Sequence, residues 1–206
     1  MSSHETIVDL LRHGACEEPK PVFRGRVDSR LSPIGQKQMQ TAIDHVNADW
    51  QHIISSPLSR CRHFAETLAD QRGLPFSISD DFQEIDFGRW DGCDVASVWD
   101  QEPKAVERFY QYPDEAPHGG ESISTLRQRV VSAWEKLLLQ HKGSHLLVVQ
   151  HGGTMMVLLA EILQIPLTNL NALDIPYACM SRVKIFHNDN DWRAVVQFHN
   201  RLDGQS

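Results

Sequence analysis

Three short stretches carry residue types that together can handle a phosphate group: Arg12-His13-Gly14, Arg60 with Arg62, and His151-Gly152-Gly153. An arginine guanidinium is planar, stays charged and donates in pairs to phosphate oxygens. A neutral imidazole offers a lone pair that can attack phosphorus without a metal. Glycines after each histidine let backbone amides approach an anion, and a helix opening at Gly152-Gly153-Thr154 adds the positive end of its dipole. This set still lacks an acid to protonate a departing alkoxide. Glu84, in Gln83-Glu84-Ile85-Asp86-Phe87-Gly88-Arg89-Trp90, is the leading candidate, and Asp86 serves nearly as well on spacing. A carboxyl group among apolar neighbours can keep the proton that it must give.

These groups need elements that bring them together. A β-rich stretch from Thr6 to Leu11 runs straight into Arg12-His13-Gly14, followed by a Pro-, Gly- and charge-bearing loop to Leu31. Ser32-Pro33 supplies an N-cap and a proline at the first helical position, opening a helix to about Val46 with Ile34, Met39, Ile43 and Val46 available for packing. Ile53-Ile54-Ser55 gives way to a helix over Arg60 to Ala69, and Leu146 to Val149 gives way to a helix over Thr154 to Leu163. Asp94 to Tyr112 reads as mixed helix and loop, and Glu121 to Gln140 as a long amphipathic helix. Ala178 to Phe186 and Trp192 to His199 read as two strands joined by a polar turn at Asn188-Asp189-Asn190. Short apolar strands alternating with helices predict a three-layer α/β/α fold with a mostly parallel central sheet. Ligands of such sheets bind outside the carboxyl ends of the strands, where the arginines and histidines sit. Asp9 is out of place in a strand expected to be covered on both faces.

Bulk properties narrow the field. At 206 residues and 41% hydrophobic content, one domain over residues 1–206 can bury about two-thirds of its unfolded surface. A formal net charge of -7 argues against nucleic acid as a partner. No apolar run reaches the roughly 20 residues that cross a bilayer, so no membrane partner is expected. Cys16, Cys61, Cys93 and Cys179 form no C-x-x-C pair, and no basic-then-apolar leader opens the chain, which fits a reducing cytoplasm. Most of the 11 histidines must be bystanders.

The motifs in order resemble the histidine phosphatase family, the group that includes cofactor-dependent phosphoglycerate mutase. They are Leu11-Arg12-His13-Gly14, Arg24-Gly25-Arg26-Val27-Asp28, Ser55-Ser56-Pro57-Leu58-Ser59-Arg60-Cys61, Glu84 through Gly92, Gly120-Glu121-Ser122 and His151-Gly152. The resemblance implies a phosphoglycerate mutase-like fold in which His13 becomes phosphorylated. It implies that Arg12, Arg60 and His151 hold the phosphoryl oxygens, and that Glu84, rather than Asp86, gives and then takes the proton. It also puts Arg60, rather than Arg62, in the pocket. Gly152 and Arg26 are further candidate substrate contacts. Phe87-Gly88-x-Trp90-Asp91-Gly92 is similar to alpha-ribazole phosphatases, which dephosphorylate a nucleotide-loop precursor of cobalamin. The implied activity is hydrolysis of a small-molecule phosphate ester such as alpha-ribazole 5'-phosphate, with no metal or other cofactor. A broad-specificity phosphatase, a phosphoglycerate mutase-type phosphotransferase and an inactive phospho-ligand-binding scaffold are the alternatives. The oligomeric state is open, a homodimer being one form it can take. The chain departs from the family at Ala15-Cys16-Glu17-Glu18-Pro19, where relatives usually show Glu-Thr and, a little later, an Asn that helps bind phosphate.

Overall fold

The computed structural model describes residues 5–18, 20–188 and 192–200. Strand β1 (Glu5–Arg12) leads through a long loop to α1 (Pro33–Asp44), then β2 (His52–Ser55), α2 (Ser59–Arg72) and the short β3 (Phe76–Ile78). Two small helices, α3 (Val95–Gln101) and α4 (Pro103–Gln111), precede the long α5 (Ile123–Gln140). The chain then forms β4 (His145–Gln150), α6 (Gly152–Leu163), β5 (Met180–His187) and β6 (Trp192–His199). The sheet order is β3-β2-β4-β1-β5-β6. The first four strands run parallel, while β5 pairs antiparallel with both β1 and β6.

Helices cover both faces because the pleat sends alternate side chains to opposite sides. Val8, Leu10, Leu146 and Val148 join Leu126, Val130 and Trp134 of α5 and Leu158 of α6 in one core. Leu11, Ile53, Leu147 and Val149 join Met39 and Ile43 of α1 and Ala65 and Leu68 of α2 in the other. Leu146 through Val149 are wholly buried, as a central parallel strand requires. Ser32 caps α1 by accepting from Gly35 N at 3.0 Å, with Pro33 at the first helical position.

Several expectations shift. Ile34 is 69% exposed and packs no core, because α1 turns that position outward. The helix stops at Asp44, and Val46 is buried beyond it. The strand expected from Ala178 starts at Met180, since Ala178 has a left-handed φ of 57°. Strand β3 goes unread because three residues between loop and turn carry too little pattern. Of the expected turn at Asn188-Asp189-Asn190, residues 189 and 190 lie outside the described residues.

Asp9 is explained by its partners. Wholly buried, it accepts from Arg182 Nε at 2.7 Å, Arg182 Nη2 at 2.9 Å, Trp50 Nε1 at 2.7 Å and His145 Nε2 at 2.9 Å. Burial alone would raise its pKa, but the bonds from Arg182, His145 and Trp50 outweigh burial and hold it below the usual value. A depressed native pKa stabilises the fold above the unfolded value of roughly 4, and this contribution fades as pH falls through the native value. Arg182→Met leaves the buried carboxylate short of its counter-ion. We expect a loss of about 3 kcal/mol at neutral pH, roughly 6–12 °C in Tm. Thermal denaturation checks this, and an unchanged Tm would mean that His145 and Trp50 suffice to hold the charge.

Candidate active site

The strand order places the chemistry. β4 lies between β2 and β1, so the carboxyl ends of three neighbouring strands meet at one edge of the sheet. β1 ends in Arg12 and delivers His13; β4 ends in Gln150 and delivers His151; β2 ends in Ser55 and leads through Ser56 to Arg60 in the first turn of α2. Backbone bonds lock these ends in register: His13 N donates to Gln150 O at 3.0 Å and Ser56 N to Val149 O at 3.0 Å. The two histidine rings stand 5.3 Å apart, edge to face.

His13 is buried, and its Nδ1 lies 2.7 Å from Gly14 O. A carbonyl can only accept, so Nδ1 carries the proton and Nε2 keeps its lone pair. Burial, with Arg60 and Arg12 nearby, pushes the imidazole pKa well below its ordinary value, keeping the ring neutral. His151, wholly buried, is shifted the same way by burial, Arg60, His13 and Arg12. Arg60 Nε donates to His151 Nδ1 at 3.2 Å, so His151 Nε2 carries the proton and donates to Ser56 Oγ at 2.7 Å. Arg60 is itself wholly buried and gives Nη1 to Val27 O and Nη2 to Gly25 O, each at 2.7 Å. It therefore ties the 24–27 loop to the edge of the sheet that carries His13 and His151. Arg12 donates to Ile175 O, while its buried Nε has no acceptor among the described residues.

Glu84 is buried and reaches the start of α6, where Oε2 accepts from Gly153 N at 3.0 Å; Oε1 accepts from Ile85 N at 3.0 Å. Asp86 instead accepts from Gly88 N at 2.7 Å and so shapes a turn. Arg62 points away into an exposed pair with Glu66 at 3.5 Å. Arg26 turns to the side-chain oxygen of Gln83, beside the segment that carries Glu84, with Glu121 4.0 Å away.

The glycines after the histidines, and Gly153 beside them, also make room for protein groups. A Cβ on Gly14 would lie 2.1 Å from Gly35 O, so Gly14 is what lets α1 pack against the loop after β1. A Cβ on Gly152 would lie 3.2 Å from Arg12 Nε, and one on Gly153 2.4 Å from Glu84 Oε1. At all three a side chain would meet protein groups.

A sequence model of the Histidine phosphatase superfamily (branch 1) matches residues 8–197, spanning every residue of this arrangement. The chain belongs to that superfamily. A bifunctional protein of Mycobacterium tuberculosis is 29% identical over 180 residues, 86% of this chain and 50% of its own length. This histidine phosphatase superfamily member thus spans about half the length of that relative. The glucosyl-3-phosphoglycerate phosphatase of Mycolicibacterium vanbaalenii is 32% identical over 170 residues, 78% of this chain and 75% of its own. In fold, the chain is similar to mycobacterial hydrolase 2, with a TM-score of 0.86 at 24% identity over 95% of this chain and 91% of the other. It is also similar in fold to the alpha-ribazole phosphatase of Shigella flexneri, with a TM-score of 0.80 at 23% identity over 95% and 96%.

Four site neighbours of this superfamily member escape a reading of residue types. Ser56 fixes the His151 ring, although it sits within the motif before Arg60. Arg129 on α5 donates Nη1 to Asp81 O at 2.6 Å and Gln83 O at 3.0 Å, and pairs with Glu121 at 2.7 Å, bracing the segment that carries Glu84. On an amphipathic helix such an arginine reads as surface. Arg24 pairs with Glu18 at 3.0 Å inside the departing loop, whose Pro19 lies outside the described residues. Tyr177 lays its ring 4.3 Å from the Arg12 guanidinium. Cys16 and Cys61 are buried free thiols, and burial pushes both pKa values up.

Proposed function

We propose that the protein is a phosphomonoesterase that works through a phosphohistidine at His13. The observation that carries this reading is the tautomer of His13: Nδ1 is occupied by Gly14 O, leaving Nε2 as the nucleophile beside half-buried Arg12 and wholly buried Arg60. In the first step Nε2 attacks phosphorus in line, the ester P–O bond breaks, and Glu84 protonates the departing oxygen. In the second, Glu84 takes a proton from water as that water attacks phosphorus and the P–N bond breaks, releasing inorganic phosphate. Arg12 and Arg60 balance the charge on the transferring group, and neutral His151 donates to it on turning its Nε2 proton away from Ser56 Oγ. Positioning and charge stabilisation supply most of the rate, because phosphoryl transfer leaves the protein little other covalent work. No step needs a metal, so activity is expected to survive a chelator at millimolar concentration.

Gly153→Ala probes the placement of Glu84. The added methyl meets the end of a flexible side chain rather than backbone, so the fold should hold while the carboxyl moves. A displacement of about 1 Å at a reacting group costs up to about 10²-fold in rate. We expect kcat to fall by about that factor with Tm unchanged; parental kcat would mean that Glu84 need not sit where Gly153 N holds it.

For the substrate we propose a small sugar-bearing phosphate ester. Alpha-ribazole 5'-phosphate is supported by the Phe87-Gly88-x-Trp90-Asp91-Gly92 motif, and glucosyl-3-phosphoglycerate by the 32% identical relative. Ranking phosphate esters by kcat/KM, with both compounds and 3-phosphoglycerate in the panel, tests this. A preference of about 10²-fold or more for one sugar ester supports it, and equal rates throughout would make the enzyme a broad phosphatase. Transfer to a second position of a phosphoglycerate, without free phosphate, would make it a mutase. Binding without turnover would leave a scaffold.

A further inference from the structure

Tyr177 has no part in the two-step displacement, yet its ring and hydroxyl engage two arginines and the nucleophile. Its ring lies 4.3 Å from the Arg12 guanidinium carbon and 5.7 Å from the His13 ring. Its hydroxyl accepts from Arg24 Nη1 at 3.1 Å. The segment that carries it wraps the end of β1: Ala178 N donates to His13 O at 3.1 Å, Arg12 N to Cys179 O at 3.0 Å, and Arg12 Nη1 to Ile175 O. Ala178 holds a φ of 57°, a left-handed conformation that alanine takes only under constraint, and this fixes where the preceding tyrosine goes.

Arg24 is built in rather than waving in solvent. Its side chain is only 8% exposed, with Nε donating to Ser29 Oγ at 3.3 Å and Nη2 to Glu18 at 3.0 Å. Two guanidinium groups therefore meet on one tyrosine, one against the ring and one on the hydroxyl. Like charges brought this close repel unless anions balance them. Glu18 answers Arg24, whereas Arg12 keeps a buried Nε with no acceptor among the described residues. An oxyanion completes such an arrangement.

We propose that Tyr177 is a positioning residue that holds Arg12 and Arg24 as a pair, so that Arg24 joins Arg12 on the phosphoryl oxygens of the bound ester. The inference rests on the phosphohistidine reading and gives it a third arginine. Glu18, a residue of the loop that departs from the family pattern, becomes the anchor that sets the height of Arg24. The cation–π contact adds its own share by holding the Arg12 guanidinium over the ring.

The test measures binding of inorganic phosphate by calorimetry to the parent protein and to R24M, Y177F, Y177A and R24M/Y177F, with Tm recorded for each. R24M is expected to weaken phosphate binding about tenfold, the worth of one hydrogen bond to a charged group. Y177F keeps the ring over Arg12 and loses its hold on Arg24, so it should weaken binding by about threefold, and in turnover raise KM more than it lowers kcat. Because the hydroxyl acts through Arg24, R24M/Y177F should bind as weakly as R24M alone. Y177A, which also frees Arg12, should be weaker than Y177F. Parental phosphate affinity in R24M, or effects of R24M and Y177F that multiply independently, would overturn the proposal; should Y177A not fold, Y177F still decides. The readout needs no turnover. Failure to form phosphohistidine would therefore strike the reading of His13 alone.

Discussion

His13→Ala should lower kcat by about 10⁴-fold or more, because it removes the atom that attacks the ester's phosphorus in the first step of the two-step route. The loss should be the same for every ester, whatever its leaving group, since no substrate can bypass the missing nucleophile. Arg12 and Arg60 keep their positions: Arg60 is held by Gly25 O and Val27 O, and Arg12 by Ile175 O, none of which involves the imidazole. Phosphate binding should therefore persist, separating loss of chemistry from loss of the pocket. Phosphate release and calorimetry on the same preparation check both parts. Activity within tenfold of the parent would leave water as the attacking group and His13 as no more than a contact.

Glu84→Gln should discriminate between substrates where His13→Ala does not. The amide keeps an oxygen for Gly153 N and nearly the same volume, so the start of α6 should stay in place. What disappears is the proton. For an alkyl phosphate with a poor leaving group the loss should be about 10²- to 10⁴-fold, and for p-nitrophenyl phosphate far less in the first step, since that phenolate leaves without help. Comparison of single-turnover rates on the two esters measures the difference. An equal loss on both would assign Glu84 to holding α6 or the substrate rather than to moving a proton.

Much of the site was legible because its members are reactive types placed at strand ends. Arg12-His13 and His151-Gly152 follow short apolar runs that read as buried strands, and the sheet brings their ends together. Glu84 and Asp86 could not be separated on residue type. The fold separates them, since one carboxylate reaches Gly153 N across the site and the other bends back to Gly88 N. Asp9 looked misplaced because the charge that answers it, Arg182, comes from a strand far along the chain. Tyr177 was invisible for a related reason: an aromatic residue before a strand reads as packing, and only the wrap of residues 175–179 around β1 turns it onto Arg12. The packing of α1 on Gly14 was not legible, because helix α1 returning onto the loop leaves no pattern near position 14. The antiparallel edge formed by β5 and β6 fitted the two-strand reading, while β3 was too short to show.

The central claim is a covalent phosphate on His13, and rapid-quench labelling reaches it directly. Protein mixed with a 32P-labelled ester and stopped in alkali within milliseconds should carry label that is stable to base, lost in acid and mapped to a peptide containing His13. His13→Ala should carry none, and Glu84→Gln should accumulate more than the parent if dephosphorylation is the slower step for that ester. Full turnover by the parent with no base-stable label at any quench time, even in Glu84→Gln, would contradict the phosphohistidine route.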